Sequence, residues 1–197
     1  MNQMSDKITI DAYNKNSKIY ESKHNSKNFW KKEYGEFEGG IHGKKVLDVG
    51  CGFGRDSKHF AENGFNVIGI DASLGMLKLA EKVPLAQFML MDMLKLSFKD
   101  KSFDGIWCCA SLLHVRHEEA AFVLKGFKRV LKQGGILFVS VQEGDGERYK
   151  SYPDGTKRFF SYYTENSLKN LVERAGFKII TLRRRDDVWL TVIATLP

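Results

Sequence analysis

The chain has 197 residues and a formal net charge of +7, with 43% apolar and 28% charged residues. That balance describes an ordinary globular domain, able to bury roughly two-thirds of its unfolded surface, and excludes a low-complexity or disordered chain. No apolar run approaches the ~20 residues of a membrane helix, and the polar opening stretch, Met1 to Lys7, reads as free of a secretory signal.

Residues 1–40 are polar and lysine-rich, with scattered aromatics. They read as one or two helices lying over the core, with Ile10, Tyr13 and Tyr20 on one face, and Gly39, Gly40 and Gly43 close the segment. An alternating rhythm follows. Val46 to Val49 is a buried strand, Arg55 to Glu62 a short helix, and Val67 to Ile70 a second strand. Ser73 caps a helix carrying Met76, Leu77, Ala80 and Val83 on one face, which Pro84 ends. Gln87 to Met91 is a third strand running to Asp92, and Phe103 to Ala110 a fourth, with Asp104 exposed at its start. From Glu118 to Leu131 apolar residues recur at helical spacing, and Gln133-Gly134-Gly135 turns the chain into a fifth strand, Ile136 to Val141. Glu143 to Arg158 reads as a long polar segment. Thr164 caps a helix with Leu168, Leu171, Val172 and Ala175 on one face, and Phe177 to Leu182 and Val188 to Leu196 form a closing hairpin.

Short apolar runs separated by amphipathic helices predict an α/β, Rossmann-like three-layer sandwich. Its sheet is expected to be seven-stranded and mostly parallel, with a C-terminal antiparallel hairpin. The expected division is a helical lid over residues 1–40 and a cofactor-binding domain over 41–197, compact as one unit. Cys51, Cys108 and Cys109 form no spaced framework, which suits a reducing, cytoplasmic setting. The lysines are dispersed, and the one tight cluster, Arg183-Arg184-Arg185, runs straight into Asp186-Asp187. This favours a solvated basic surface over a nucleic-acid footprint.

The most specific stretch is Val46-Leu47-Asp48-Val49-Gly50-Cys51-Gly52-Phe53-Gly54-Arg55-Asp56. A strand that ends in alternate glycines and runs into a helix brings backbone amides to the carboxyl edge of a sheet. Asp71 closes the second strand, where an acid accepts both hydrogen bonds of a ribose diol. Asp92 closes the third, where a carboxylate accepts from an adenine amine. Asp48 lies inside the first run and is costly to bury unless paired. Together these acids and the glycine loop point to an adenosine-containing cofactor. Arg55 stands where a dinucleotide-binding fingerprint wants glycine, which disfavours a nicotinamide oxidoreductase.

These residues resemble the class I S-adenosylmethionine-dependent methyltransferases of the small bacterial methyltransferase-domain type. The resemblance is carried by Val46 to Gly54, Val67 to Asp71, Met76-Leu77, Met91-Asp92-Met93, Phe103-Asp104, Leu113-His114 and Arg129 to Gly135, in the family's order over about residues 44 to 141. It extends to Phe159 to Thr164 and Leu168 to Gly176; Gln133 replaces the usual proline. The resemblance implies S-adenosylmethionine as cofactor and S-adenosylhomocysteine as product. Gly50, Cys51 and Gly52 would line the methionine part, and Arg55 would meet its carboxylate. Asp71 would hold the ribose, Ala72 and Met76 would lie beside the adenine, and Asp92 and Met93 would face it. Cys109 and Ala110 would line the side where the methyl projects.

Transfer from a sulfonium requires alignment, exclusion of water and, for some acceptors, a base. No metal is required, and the five histidines lack a zinc spacing. His114, after the fourth strand, is the candidate base. Tyr13, Tyr20, Phe160 and Tyr163 are the candidate lid and acceptor residues. The segment after strand four, Cys109 to His114, holds no proline, unlike the exocyclic-amine methylases of nucleic acids that resemble this fold. A small-molecule acceptor, methylated at oxygen, nitrogen or sulfur, is therefore the expectation. RNA or protein methylation is the alternative, and a non-catalytic S-adenosylmethionine-binding protein a third. No membrane partner is expected, and monomer and homodimer both stay open.

Overall fold

The computed structural model describes residues 6–24, 26 and 29–197. Most of the polar opening stretch, Met1 to Lys7, lies outside them. The elements in order are α1 (Lys7–His24), α2 (Lys31–Gly40), β1 (Lys45–Val49), α3 (Arg55–Glu62), β2 (Asn66–Asp71), α4 (Leu74–Ala80), β3 (Ala86–Leu90), β4 (Phe103–Cys108), α5 (His117–Val130), β5 (Leu131–Gln142), β6 (Glu147–Ser151), β7 (Lys157–Ser161), α6 (Glu165–Arg174), β8 (Lys178–Arg185) and β9 (Trp189–Thr195).

Seven strands form one sheet in the order β3-β2-β1-β4-β5-β9-β8. The first five are parallel; β9 runs antiparallel beside β5, and β8 antiparallel outside β9. The inner parallel strands β1, β4 and β5 are apolar on both faces because both are covered, while the edge strand β3 leaves Met89 and Leu90 exposed. On β1, Val46 packs with Trp30, Tyr34, Phe37, Phe60 and Trp107 on one side, while Leu47 packs with Val123, Phe127 and Leu168 on the other. The sheet is the middle of three layers, as the sequence predicts. Thr164 and Ser73 cap α6 and α4 as expected, accepting from the backbone N–H of Ser167 and Met76.

Three expectations need correction. The polar segment Glu143 to Arg158 contains a strand and leads into a second one. β6 and β7 make a separate two-stranded sheet, closed by Tyr152-Pro153-Asp154-Gly155-Thr156, in which Asp154 accepts from Thr156 and Gly155 takes φ 78°. A Pro-Asp-Gly run is a turn signal with a mechanism, and here it closes a hairpin. Asp104 is not exposed: it accepts from Lys45 N at 2.9 Å and pairs with Lys132 at 2.7 Å. The basic run Arg183-Arg184-Arg185 lies in β8 and is taken up by acids of other segments, Glu36, Glu143 and Glu33.

The helix α1 is weakly apolar along its length and bends at Asn16. Polar pins dock it together with Tyr13 and Tyr20, which pack on Phe53, Met76 and Leu79. Asn14 Oδ1 accepts from Ser73 Oγ and from Gly75 N, both at 2.8 Å. Thr9 Oγ1 accepts from Phe159 N at 2.8 Å. The approach to α4 is close enough that a Cβ on Gly75 would stand 2.7 Å from the Asn14 carbonyl oxygen and 2.8 Å from its Cα. Gly75→Ala is therefore expected to weaken the docking of α1 by about 1–3 kcal/mol. Limited proteolysis reads this as faster cleavage at Lys15 and Lys18; an unchanged cleavage rate would count against the pin.

Candidate functional site

Between β1 and β4 the order of the sheet reverses, and such a switch point opens a crevice at the carboxyl ends of the strands. A cavity of about 790 Å³ occupies this edge. Its volume lies within the range of small-molecule and cofactor sites. The glycine loop forms its floor, α1 contributes Tyr13, Asn16 and Tyr20, and the β6–β7 turn contributes Tyr152 and Thr156.

The loop is shaped by specific demands. Gly50 (φ 69°) leaves no room for a side chain, because a Cβ there would collide with Ser111. Gly52 (φ 56°) faces open space, and Gly54 (φ 86°) lies against Ala80 and Val83. A left-handed backbone at all three favours glycine. Only at Gly52 does the missing side chain leave space for a guest; at Gly50 the bareness serves packing.

Asp71 ties this loop to the next. Its two carboxylate oxygens accept from Gly52 N and Ser73 N, each at 2.8 Å. Burial pushes its pKa above the ordinary carboxylate value, against the pull of those backbone bonds. A carboxylate offers about four acceptor sites, so these two bonds leave capacity for a diol. Asp48 is paired within the protein: Ser57 Oγ donates to it at 2.6 Å. Burial, reinforced by the nearby charge of Asp56, pushes its pKa up to about 8.

Asp56 was not singled out in the sequence, where it reads as an acid that compensates the dipole of α3. It is the acceptor for four donors from three elements. Tyr34 Oη donates at 2.6 Å, Trp107 Nε1 at 2.8 Å, and Arg55 Nε and Nη2 at 2.5 and 3.0 Å. Burial alone would raise its pKa, but the Arg55 charge and these bonds outweigh burial and hold the carboxyl below its ordinary range. Arg55 is thereby fixed at the cavity wall, where Nη2 also reaches Cys109 Sγ at 3.7 Å. A buried tryptophan needs an acceptor for its N–H, and Trp107 was the one sequence signal for such a partner.

Cys109 and Ala110 follow β4. Ala110 takes φ 50°, a conformation strained for a residue with a side chain, and its N–H is held by Ser140 Oγ at 2.8 Å. His114 has both ring nitrogens engaged. Nδ1 lies 2.6 Å from the Phe159 carbonyl, which only accepts, so Nδ1 carries the proton. Nε2 therefore accepts from Tyr13 Oη at 2.8 Å, and Tyr13 in turn accepts from Arg158 at 3.1 Å. Burial lowers the His114 pKa to about 4, opposed by the bond to Phe159.

The cavity brings together Tyr13, Tyr20, Gly50, Cys51, Gly52, Arg55, Asp71, Ala72, Met76, Met93, Cys109, Ala110, His114 and Phe160 of the residues expected from the sequence. Three others stand outside its walls. Asp48 lies beneath the loop with Ser57. Asp92 accepts from Leu94 N at 2.9 Å, a local turn bond. Tyr163 is buried in the main core, edge-on to His117. Among the described residues no group of His, Cys, Asp and Glu could hold a metal ion.

Residues 47–139 match the methyltransferase-domain family. The chain is 30% identical over 159 residues to phosphoethanolamine N-methyltransferase 1 of Zea mays, covering 77% of this chain and 31% of that protein. It is 30% identical over 160 residues to the ubiquinone biosynthesis O-methyltransferase of Actinobacillus pleuropneumoniae serotype 7, covering 71% and 68%. The chain thus spans about a third of the plant protein and two-thirds of the bacterial one. Among solved structures it resembles the 1,6-didemethyltoxoflavin-N1-methyltransferase of Burkholderia thailandensis with bound 1,6-didemethyltoxoflavin and S-adenosylhomocysteine, with a TM-score of 0.76, 20% identity, and coverage of 96% and 87%. At that identity the likeness is one of fold.

The buried acid Asp48 makes stability depend on pH. The folded chain keeps a proton up to about pH 8 that the unfolded chain releases near pH 3.9. Its contribution therefore falls as pH rises through that window. Asp48→Asn retains an acceptor for Ser57 and removes the titration, so its Tm is expected to exceed that of the wild type at pH 8 by a few degrees, at about 2–4 °C per kcal/mol. Equal Tm values at pH 5 and pH 8 for both proteins would show that Asp48 does not titrate in that window.

Proposed function

The chain belongs to the class I S-adenosylmethionine-dependent methyltransferases, and from that premise we propose that it methylates an oxygen, nitrogen or sulfur atom of a small molecule. The observation that carries the reading is one cavity whose wall holds Asp71, Gly52 and Arg55 together with Tyr13, His114 and Phe160. The residues fit the cofactor: Asp71 keeps acceptor capacity for a ribose diol, Gly52 leaves open space, and Ala72, Met76 and Met93 offer an apolar wall. Beyond its bonds to Asp56, the His24 carbonyl and Cys109 Sγ, Arg55 keeps one N–H for a carboxylate. When bound, S-adenosylmethionine supplies a methyl carbon whose bond to sulfur breaks, with its electron pair, as an acceptor lone pair bonds to carbon.

What remains for the protein is alignment, a dry site and a route for the acceptor proton. We assign the cover to α1, within the expected lid of residues 1–40, since Tyr13 and Tyr20 lie over the cavity. The remainder of that segment is built differently: Trp30, Tyr34 and Phe37 pack in the core. The proton route begins at Tyr13. Its hydroxyl hydrogen already points at neutral His114 Nε2, so a proton taken from the acceptor by Tyr13 moves on to His114. A small-molecule acceptor agrees with the relatives, whose names specify phosphoethanolamine and ubiquinone biosynthesis. The arginine run of β8 is already bound to acids, which weighs against a nucleic-acid partner. No helix among the described residues is long and apolar enough to cross a membrane, and three free thiols suit the cytoplasm.

Removing the Asp71 side chain strands hydrogen-bonding groups, so Asp71→Ala is expected to weaken S-adenosylhomocysteine binding by about 1–3 kcal/mol. Calorimetry with equal affinities would refute the ribose role. For the proton route, Tyr13→Phe and His114→Ala are each expected to lower kcat roughly hundredfold or more. With a His114 pKa of about 4, the base form persists at all higher pH. The wild-type kcat should then show no inflection near pH 6.5, the ordinary histidine value. An inflection there that His114→Ala abolishes would sink the buried, coupled reading.

A further inference from the structure

Four arginines are half-buried among the described residues: Arg55, Arg158, Arg183 and Arg185. Three have carboxylate partners, in Asp56, Glu36 and Glu33. Arg158 has no ion pair among the described residues. It stacks instead. Its guanidinium carbon lies 3.7 Å from the ring centre of Tyr152, 5.0 Å from Tyr13 and 5.8 Å from Tyr20. One N–H donates to Tyr13 Oη at 3.1 Å, and its other donors have no hydrogen bond among the described residues. The acid whose charge acts on Arg158, Asp154, forms no ion pair with it and accepts from Thr156 instead.

A half-buried cation that no ion pair neutralises is costly, and ring faces offset only part of that cost. Arg158 also sits in the cavity wall, beside the tyrosine of the proton route. A guanidinium held flat between rings presents a fork of N–H groups that matches two oxygens of one anion, which an ammonium does not. We propose that Arg158 is an oxyanion subsite for the methyl acceptor, so that the acceptor is a small molecule carrying a carboxylate or a phosphate. The anion bound to Arg158 anchors the acceptor. Because Arg158 also holds Tyr13, the anchor and the first residue of the proton route are set by one side chain. This assignment rests on the methyltransferase reading and narrows its acceptor.

The test uses the full chain loaded with S-adenosylhomocysteine, titrated separately with inorganic phosphate and with acetate at constant ionic strength. One of the two is expected to bind the wild type, and which one does so separates a phosphate-bearing acceptor from a carboxylate-bearing one. Arg158→Met is expected to raise that dissociation constant at least tenfold while the variant still binds S-adenosylhomocysteine. Anion binding that is equally strong in Arg158→Met, or absent from the loaded wild type, overturns the subsite and leaves the methyltransferase reading standing. Failure of the wild type to bind S-adenosylhomocysteine overturns both. Should Arg158→Met not fold, Arg158→Lys keeps the charge without the fork. It is expected to bind the anion more weakly than the wild type, and an unchanged dissociation constant would overturn the forked recognition.

Discussion

Strands β1 and β4 lie side by side, but the chain leaves them toward opposite edges of the sheet. That divergence cannot be filled by a crossover, so a crevice remains where both strands end. Polar groups gathered at this edge are withdrawn from water by the layers around it. Each must then find a partner in the protein or in a ligand. The loop conformation, the placement of Arg55 and the docking of α1 are successive answers to this one demand.

The buried acids answer it in three ways. Asp56 is neutralised by Arg55 and saturated by Tyr34 and Trp107, which joins α2, α3 and β4 around one carboxylate. Asp48 has a single hydroxyl partner and keeps its proton. Asp71 binds two backbone amides of neighbouring loops and retains capacity for more. What sets Asp71 apart is that its spare acceptor sites face the cavity, whereas Asp48 lies beneath the loop. Elsewhere in the cavity wall the same reasoning applies with the sign reversed: Arg158 is a cation that the protein stacks on rings with no ion pair among the described residues.

The cover over this edge is held by a different kind of force from the core. α2 buries Trp30, Tyr34 and Phe37 against the sheet and behaves as part of the main layer. α1 is attached through hydrogen bonds of Thr9, Tyr13, Asn14 and Asn16 to α4, His114 and the β6–β7 hairpin, with Tyr13 and Tyr20 packed on the small cluster of Phe53, Met76 and Leu79. Bonds of this kind contribute about 1 kcal/mol each and re-form readily with water. A helix docked in this way suits a part that must lift to exchange cofactor and acceptor.

The order of strands and helices, both caps, the glycine loop and Asp71 were legible in the sequence, because each follows from local chemistry. Apolar period, capping hydroxyls and the bareness of glycine act over a few residues. Other features needed the folded chain. The β6–β7 hairpin was hidden because its strands are polar and carry no apolar alternation, although Pro153-Asp154-Gly155 marked its turn. Asp56 resembled an ordinary first-turn acid until α2 and β4 brought Tyr34 and Trp107 to it. Asp92 and Tyr163 matched the expected positions in sequence, yet one turns back on Leu94 and the other packs into the core. His114 and Tyr13 are separated by 101 positions, so only tertiary structure makes them partners. Local sequence dictates which groups stand at a strand end. Which of them face a cavity, and which are already satisfied by another element, depends on long-range packing, since hydrogen bonds and desolvation act in space and not along the chain.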